Sequence, residues 1–154
     1  MRRAEARRLA IGIRNADRDL KDNKTQLATL VAQLAPDLLT KIGVGPVSAA
    51  QAIVSWSHPG RCRNDAAFAA LAGASPLPAS SGQTVRYRLN RGGDRHLNRA
   101  LHDIALTRWR LCPRTHAYIA KRRPQGKTDN EIRRLLKRHI ARELFRTLNT
   151  PITA

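Results

Sequence analysis

A chain of 154 residues is the size of one ordinary domain and is long enough to bury a core. Lys and Arg outnumber Asp and Glu by 29 to 11, a formal charge of +18, and a field of that size favours a polyanionic partner, with nucleic acid first. No apolar run approaches the roughly 20 residues of a spanning helix, and the opening MRRAEARRLA has no apolar signal core, so no membrane partner is expected and the address reads as cytoplasmic, bacterial in style.

Residues 2–35 read as one long helix. Leu9, Ile13, Ala16, Leu20, Asn23, Leu27, Leu30 and Leu34 fall alternately four and three apart, an a/d seam sustained for nearly four heptads. A buried amide at Asn23 would fix its register. Packing on its own domain and pairing with a partner helix are equally compatible with this pattern. Pro36 closes the segment, and "DLLTKIGVGPVSAAQAIVSW" follows: a short helix, a Gly-Val-Gly turn, Pro46 in the first turn of a second helix, then Ala49, Ala50, Ile53 and Val54 at helical spacing. This hairpin, residues 36–57, is similar to a helix-hairpin-helix element, in which Gly43 and Gly45 permit the turn and the second helix's N-terminal amides meet a phosphate. The plainer reading is a helical corner whose glycines only let the chain turn.

Asn64 caps a short apolar helix, "DAAFAALAG", that ends at Gly73. The stretch 74–93 is loop, with one short extended segment in which Val85, Tyr87 and Leu89 alternate with Thr84, Arg86 and Arg88. Asp94 then caps a helix running to about Cys112, with Leu97, Leu101, Ile104 and Ala105 as its buried face. Pro113 begins another through Tyr118 and Ile119, ending in "KRRPQG". The last helix opens on a capping box, Thr128 with Glu131, and carries Ile132, Leu135, Leu136, Ile140 and Leu144 as its apolar stripe. On another face Arg134, Arg138, Arg142 and Arg146 recur every fourth residue beside Arg133 and Lys137. Like charges at that spacing repel by a few tenths of a kcal/mol per pair, a penalty that a bound phosphate backbone would remove.

Cys62 and Cys112 have no ligand spacing, and His58, His96, His102, His116 and His139 are scattered without a carboxylate cluster. No metal site, disulfide framework or cofactor is expected in this chain. Ser80 and Ser81 precede Gly82 at the head of a run bearing Arg86, Arg88, Arg91, Arg95 and Arg99. A serine hydroxyl needs a base or metal to take its proton and cations to hold the developing charge. The cations are present, but no base is evident, because Asp94 and His96 suit helix capping and surface contact better. By local chemistry alone this serine is a turn residue.

The ordered set "IGVGPVSAAQAIVSW", "LAGASPLPASSG", "YRLNRGGDRHLNRAL" and "HAYIAKRRPQGK" resembles the C-terminal domain of the insertion sequence 116/110/902 transposases, the bridge-RNA-guided serine recombinases, over about residues 36–148. The resemblance implies Ser81, with Ser80 as fallback, as the nucleophile that becomes joined to a DNA phosphate. It also implies nucleic-acid contacts from nearby arginines and lysines, here Arg86, Arg88, Arg91, Arg95, Arg99, Arg134, Lys137, Arg138 and Arg142. Partners would be DNA and a guide RNA. Family members also carry an RuvC-like α/β domain whose four acidic residues hold divalent metal. Here Glu5, Asp17, Asp19 and Asp22 lie on the opening helix instead, so Mg2+ is implied only for that other domain and the chain is expected to be a C-terminal fragment beginning inside the coiled-coil connector. Ala74 and Leu77 depart from the larger apolar and basic residues usual at their positions in the family.

The expected fold is therefore all-α: a coiled-coil-like helix, residues 1–35, available to a homo-oligomer or coiled-coil partner through 9–34, then a compact helical domain, residues 36–154. That domain holds the hairpin, a basic loop or short β-hairpin at 74–93, and basic helices over 94–149. Two functions compete. One is a transposase domain with a serine nucleophile, incomplete by itself. The other is a non-enzymatic helical binder of DNA or structured RNA, which leaves the loop at 76–93 without a purpose.

Overall fold

The computed structural model describes residues 2–78, 87, 88, 90 and 92–150. Its elements are α1 (Arg2–Leu34), α2 (Pro36–Leu39), α3 (Pro46–Trp56), α4 (Asp65–Leu71), β1 (Leu77–Pro78), β2 (Tyr87–Arg88), α5 (Arg95–Leu111), α6 (Pro113–Arg122), a 3-10 turn (Arg123–Gln125) and α7 (Asp129–Leu148). The mainly α expectation holds, with a long first helix ahead of a compact helical part. The extended segment is minimal: β1 and β2 pair antiparallel, Leu77 opposite Arg88 and Pro78 opposite Tyr87.

α5 is the central column. Its expected face, Leu97, Leu101, Ile104 and Ala105, is fully buried. α3 packs against one side and α7 against another, and α4 lies on α7. α7 contributes Ile132, Ile140, Ala141 and Leu144 to the core, and Phe68 of α4 meets Phe145 of α7 with ring centroids 5.7 Å apart. Each fully buried Leu, Ile or Phe contributes about 1.5–3 kcal/mol. Leu135, read as part of the apolar stripe, is only partly buried and faces a groove described below.

The caps explain the element ends. Asn64 accepts from Ala67 N–H, Thr128 and Glu131 form the expected reciprocal box, and Asp94 accepts from the His96 and Leu97 N–H groups. α3 buries Ala49, Ala52 and Ser55, a face rotated from the expected one; Val54 points outward, 70% exposed. α2 is a single turn. Gly43, at φ +81°, presses on α5 so closely that a Cβ would sit 3.1 Å from the Ile104 carbonyl and 3.3 Å from Thr107 Cβ. The left-handed backbone and this close packing both require glycine here.

α1 docks only by its end. Leu27, Ala28 and Val31 turn toward the domain, Val31 buried and the other two partly so, whereas residues 2–26 are exposed throughout. Of the heptad seam only Leu27 joins this docking face: Leu9, Ile13, Leu20, Leu30 and Leu34 stay 53–69% exposed, and Asn23 is in solvent. A 33-residue helix is about 50 Å long, so most of α1 projects.

Candidate nucleic-acid interface

The two ends of the loop meet where α4 finishes and α5 begins. Gly73, at φ +64°, ends α4, and Gly93, at φ +142°, lies against it; a Cβ on Gly93 would fall 2.7 Å from the Leu71 carbonyl and 2.9 Å from Gly73 N. Only glycine allows that approach. The Asp94 N–H also donates to the Leu71 carbonyl at 2.8 Å. Asn90 closes a local turn by accepting from Gly92 N–H.

Two side chains that sequence reading passed over hold this junction. Ser55, buried on α3, donates to Asp94 Oδ2, so the capping carboxylate has both oxygens engaged. Burial works against ionising Asp94, but the hydrogen bonds from Ser55 and the Leu97 and His96 amides hold its carboxyl below the usual range. Asn98 of α5 donates from Nδ2 to the Ala72 carbonyl at 2.6 Å and accepts from Lys137 Nζ on α7 at Oδ1. Burial pushes the Lys137 ammonium below its ordinary value. The sequence signal for Ser55 was a small polar residue on an apolar face; Asn98 carried none, since only its tertiary partners distinguish it.

A groove of about 440 Å³ opens beside this junction. One wall is Gly73, Ala74, Ser75 and Pro76, the stem leading into the loop; the other is α7, with Arg134, Leu135, Lys137 and Arg138, and Lys127 and Glu131 also line it. A smaller cavity of about 230 Å³ shares Gly73, Asn90 and Asn98 and adds Arg95. The fold thus brings Arg95, Arg134, Lys137 and Arg138 to the base of the serine loop from helices some 40 residues apart in sequence.

The other sequence-derived candidates distribute differently. Ser80, Ser81, Arg86 and Arg91 lie outside the described residues, and Arg88 is placed only by its backbone pairing with Leu77. Arg99 is exposed on α5 but lines neither cavity. Gly43 serves packing, and Gly45 N–H points to Ser48 Oγ at 3.0 Å within its own helix cap. The arginine stripe of α7 is divided. Arg142 and Arg146 reach Asp65 of α4 at 3.5 and 2.7 Å, a carboxylate 77 and 81 residues earlier, leaving Arg134 and Arg138 to the groove. Glu143 of the same helix receives Arg108 Nη1 at 2.6 Å, while Arg108 Nε holds the Ile42 carbonyl. The stripe is therefore not of one sign in three dimensions.

Among the described residues no three His, Cys, Asp or Glu side chains converge as metal ligands. Glu5, Asp17, Asp19 and Asp22 are spread along the projecting α1. Cys62 and Cys112 are unpaired. No described helix is long and apolar enough to cross a membrane.

Fold and groove together define a mainly helical, polycationic domain organised around the stem of one loop. The family model "Transposase IS116/IS110/IS902 family" matches residues 35–120, from α2 to near the end of α6 and including that stem, and the chain belongs to this family, which acts in DNA transposition. No curated protein matches the chain.

Proposed function

We propose that the chain is the DNA-engaging, serine-bearing part of a recombinase that joins DNA strands through a protein–phosphate ester. The carrying observation is that the stem of the serine loop forms one wall of a groove whose other wall is Arg134, Lys137 and Arg138. β1 anchors the loop at Pro78. Ser80 and Ser81 follow that anchor by two and three residues in the sequence. In this reading the serine addresses a phosphate seated against the groove cations. In the step itself Ser81 Oγ attacks phosphorus, an Oγ–P bond forms, and the bond from phosphorus to a deoxyribose oxygen breaks. The guanidinium and ammonium groups stabilise the charge that develops on the phosphoryl oxygens. The departing hydroxyl proton needs an acceptor other than Asp94, whose two oxygens are already hydrogen-bonded.

The described residues do not fit Mg2+, since their carboxylates are dispersed, and no step proposed for this chain runs through a metal. In this reading the metal-binding carboxylates belong to an RuvC-like domain supplied elsewhere, a guide RNA shares the cationic surface with DNA, and the exposed seam of α1 over 9–34 pairs with a second helix.

Strand joining in the presence of a full-length family member whose own serine has been replaced tests the assignment. Joining is expected with the wild-type chain and not with Ser81→Ala. Joining lost only in Ser80→Ala moves the nucleophile one residue. Joining that survives both substitutions leaves a non-enzymatic nucleic-acid binder.

A further inference from the structure

The corner between α6 and α7, beyond the groove, gathers polar groups without acceptors. Tyr118 Oη and the Nε atoms of Arg122, Arg138 and Arg142 are all buried and without a hydrogen-bond partner. They are connected through His139, on which the charges of Arg142, Arg122 and Arg138 all act. The Arg122 guanidinium lies 5.0 Å from the Tyr118 ring centroid, and Tyr118 meets the His139 ring edge-on at 5.6 Å. Buried donors are nearly always satisfied, so four in one corner call for an acceptor from outside. Internal partners fill the role only in part: Asp65 approaches Arg142 Nε at 3.5 Å without completing a hydrogen bond, Gln125 Oε1 accepts from Arg122 Nη1 at 3.0 Å, and Tyr118 Oη and the three Nε atoms are left without a partner.

We propose that this corner is a second phosphate site, in which Arg122, Arg138 and Tyr118 hold a backbone phosphate of bound nucleic acid against His139, and Arg138 links it to the groove. The inference rests on the nucleic-acid reading above and extends the contact surface beyond the residues that the motifs suggested, since Arg122, Tyr118 and His139 lie off the stripe. A phosphate oxygen accepts from the tyrosine hydroxyl and from guanidinium N–H groups, and its charge offsets the mutual repulsion of the arginines.

The site has a built-in proton linkage. Partial loss of solvent around the ring and then the charges of Arg142, Arg122 and Arg138 hold His139 below the ordinary histidine range, although the residue as a whole is exposed. A phosphate placed among these groups weakens the positive local field and makes imidazolium less unfavourable. The His139 pKa rises on binding, a proton is taken up, and by reciprocity affinity increases as pH falls.

Wild-type protein titrated by NMR of the His139 imidazole, alone and saturated with a short DNA duplex or the RNA duplex of the same sequence, tests this without any variant. The expected result is a lowered pKa in the protein alone and an upward shift with the nucleic acid that occupies the corner, the two duplexes separating a DNA site from an RNA site. Affinity measured over about pH 8 to 5 should rise by at least ~threefold in the wild type and lose the His139 share of that rise in His139→Gln. Arg122→Ala should lower the slope of log affinity against log salt by about 0.9. Salt-dependent binding with an unmoved His139 pKa for both duplexes overturns the second site and leaves the groove reading intact. No salt-dependent binding at all overturns both.

Discussion

Asp94 shows how one side chain connects sequence, fold and site. It caps α5, satisfies Ser55 on α3, and stands at the end of the loop. Removing it loses an N-cap, about 1 kcal/mol, and leaves the buried Ser55 hydroxyl without its acceptor, about 1–3 kcal/mol more. Asp94→Ala should therefore lower unfolding free energy by roughly 2–4 kcal/mol in urea titration; a loss under about 0.5 kcal/mol would mean that the cap is redundant. Because the folded carboxyl titrates below its unfolded value, this stability is complete above about pH 4 and is lost as pH falls through the lowered folded value. Asn98 illustrates the opposite case. Its bonds to Ala72 and Lys137 join three segments, but nothing in the string "HLNRAL" separates it from a solvent-facing asparagine.

At the scale of elements, the loop is positioned by close approach rather than by strand pairing, since β1 and β2 are two residues each. Gly93 makes that approach possible. Gly93→Ala places a methyl 2.7 Å from the Leu71 carbonyl in a backbone conformation that L side chains rarely adopt, a strain of about 1–3 kcal/mol. The variant should melt lower and bring hydrogen-exchange protection down at residues 71–74 and 94–98; an unchanged melting temperature would show that the two loop ends are not locked together here. α7 was legible as a capped amphipathic helix from Thr128 and Glu131 onward, because capping and periodicity are local properties. The partition of its arginines was not, because Asp65 and Arg108 arrive from α4 and α5.

For the whole molecule, the +18 charge is focused by the fold into particular places. If Arg95, Arg134, Lys137 and Arg138 each neutralise one phosphate, log affinity for duplex DNA should fall against log salt with a slope of about −3.6 from the groove alone, and Arg134→Ala should reduce it by about 0.9. A flat salt dependence by fluorescence anisotropy would remove the electrostatic basis of the interface. α1 carries a separate expectation. Its exposed seam should support self-association, visible in sedimentation velocity as a species heavier than the monomer and diminished by Leu20→Asp, whose side chain is 69% exposed and outside the core. A monomer at all concentrations would leave the seam without a homotypic partner.

By itself the sequence determined the helical class, almost every helix boundary, the face buried by α5 and the polyanionic partner, because caps, periodicity and net charge act between residues close in the chain or summed over all of it. The ordered motifs likewise led to the transposase family, which the match over 35–120 established. Only tertiary structure decided that α1 docks by Leu27, Ala28 and Val31 and leaves the rest of its seam outside, that Val54 faces solvent, that Gly43 packs on α5, and that the arginine stripe divides between a carboxylate and a groove. Those outcomes depend on which surfaces meet across tens of residues, where packing and ion pairing are settled by geometry that no local pattern encodes.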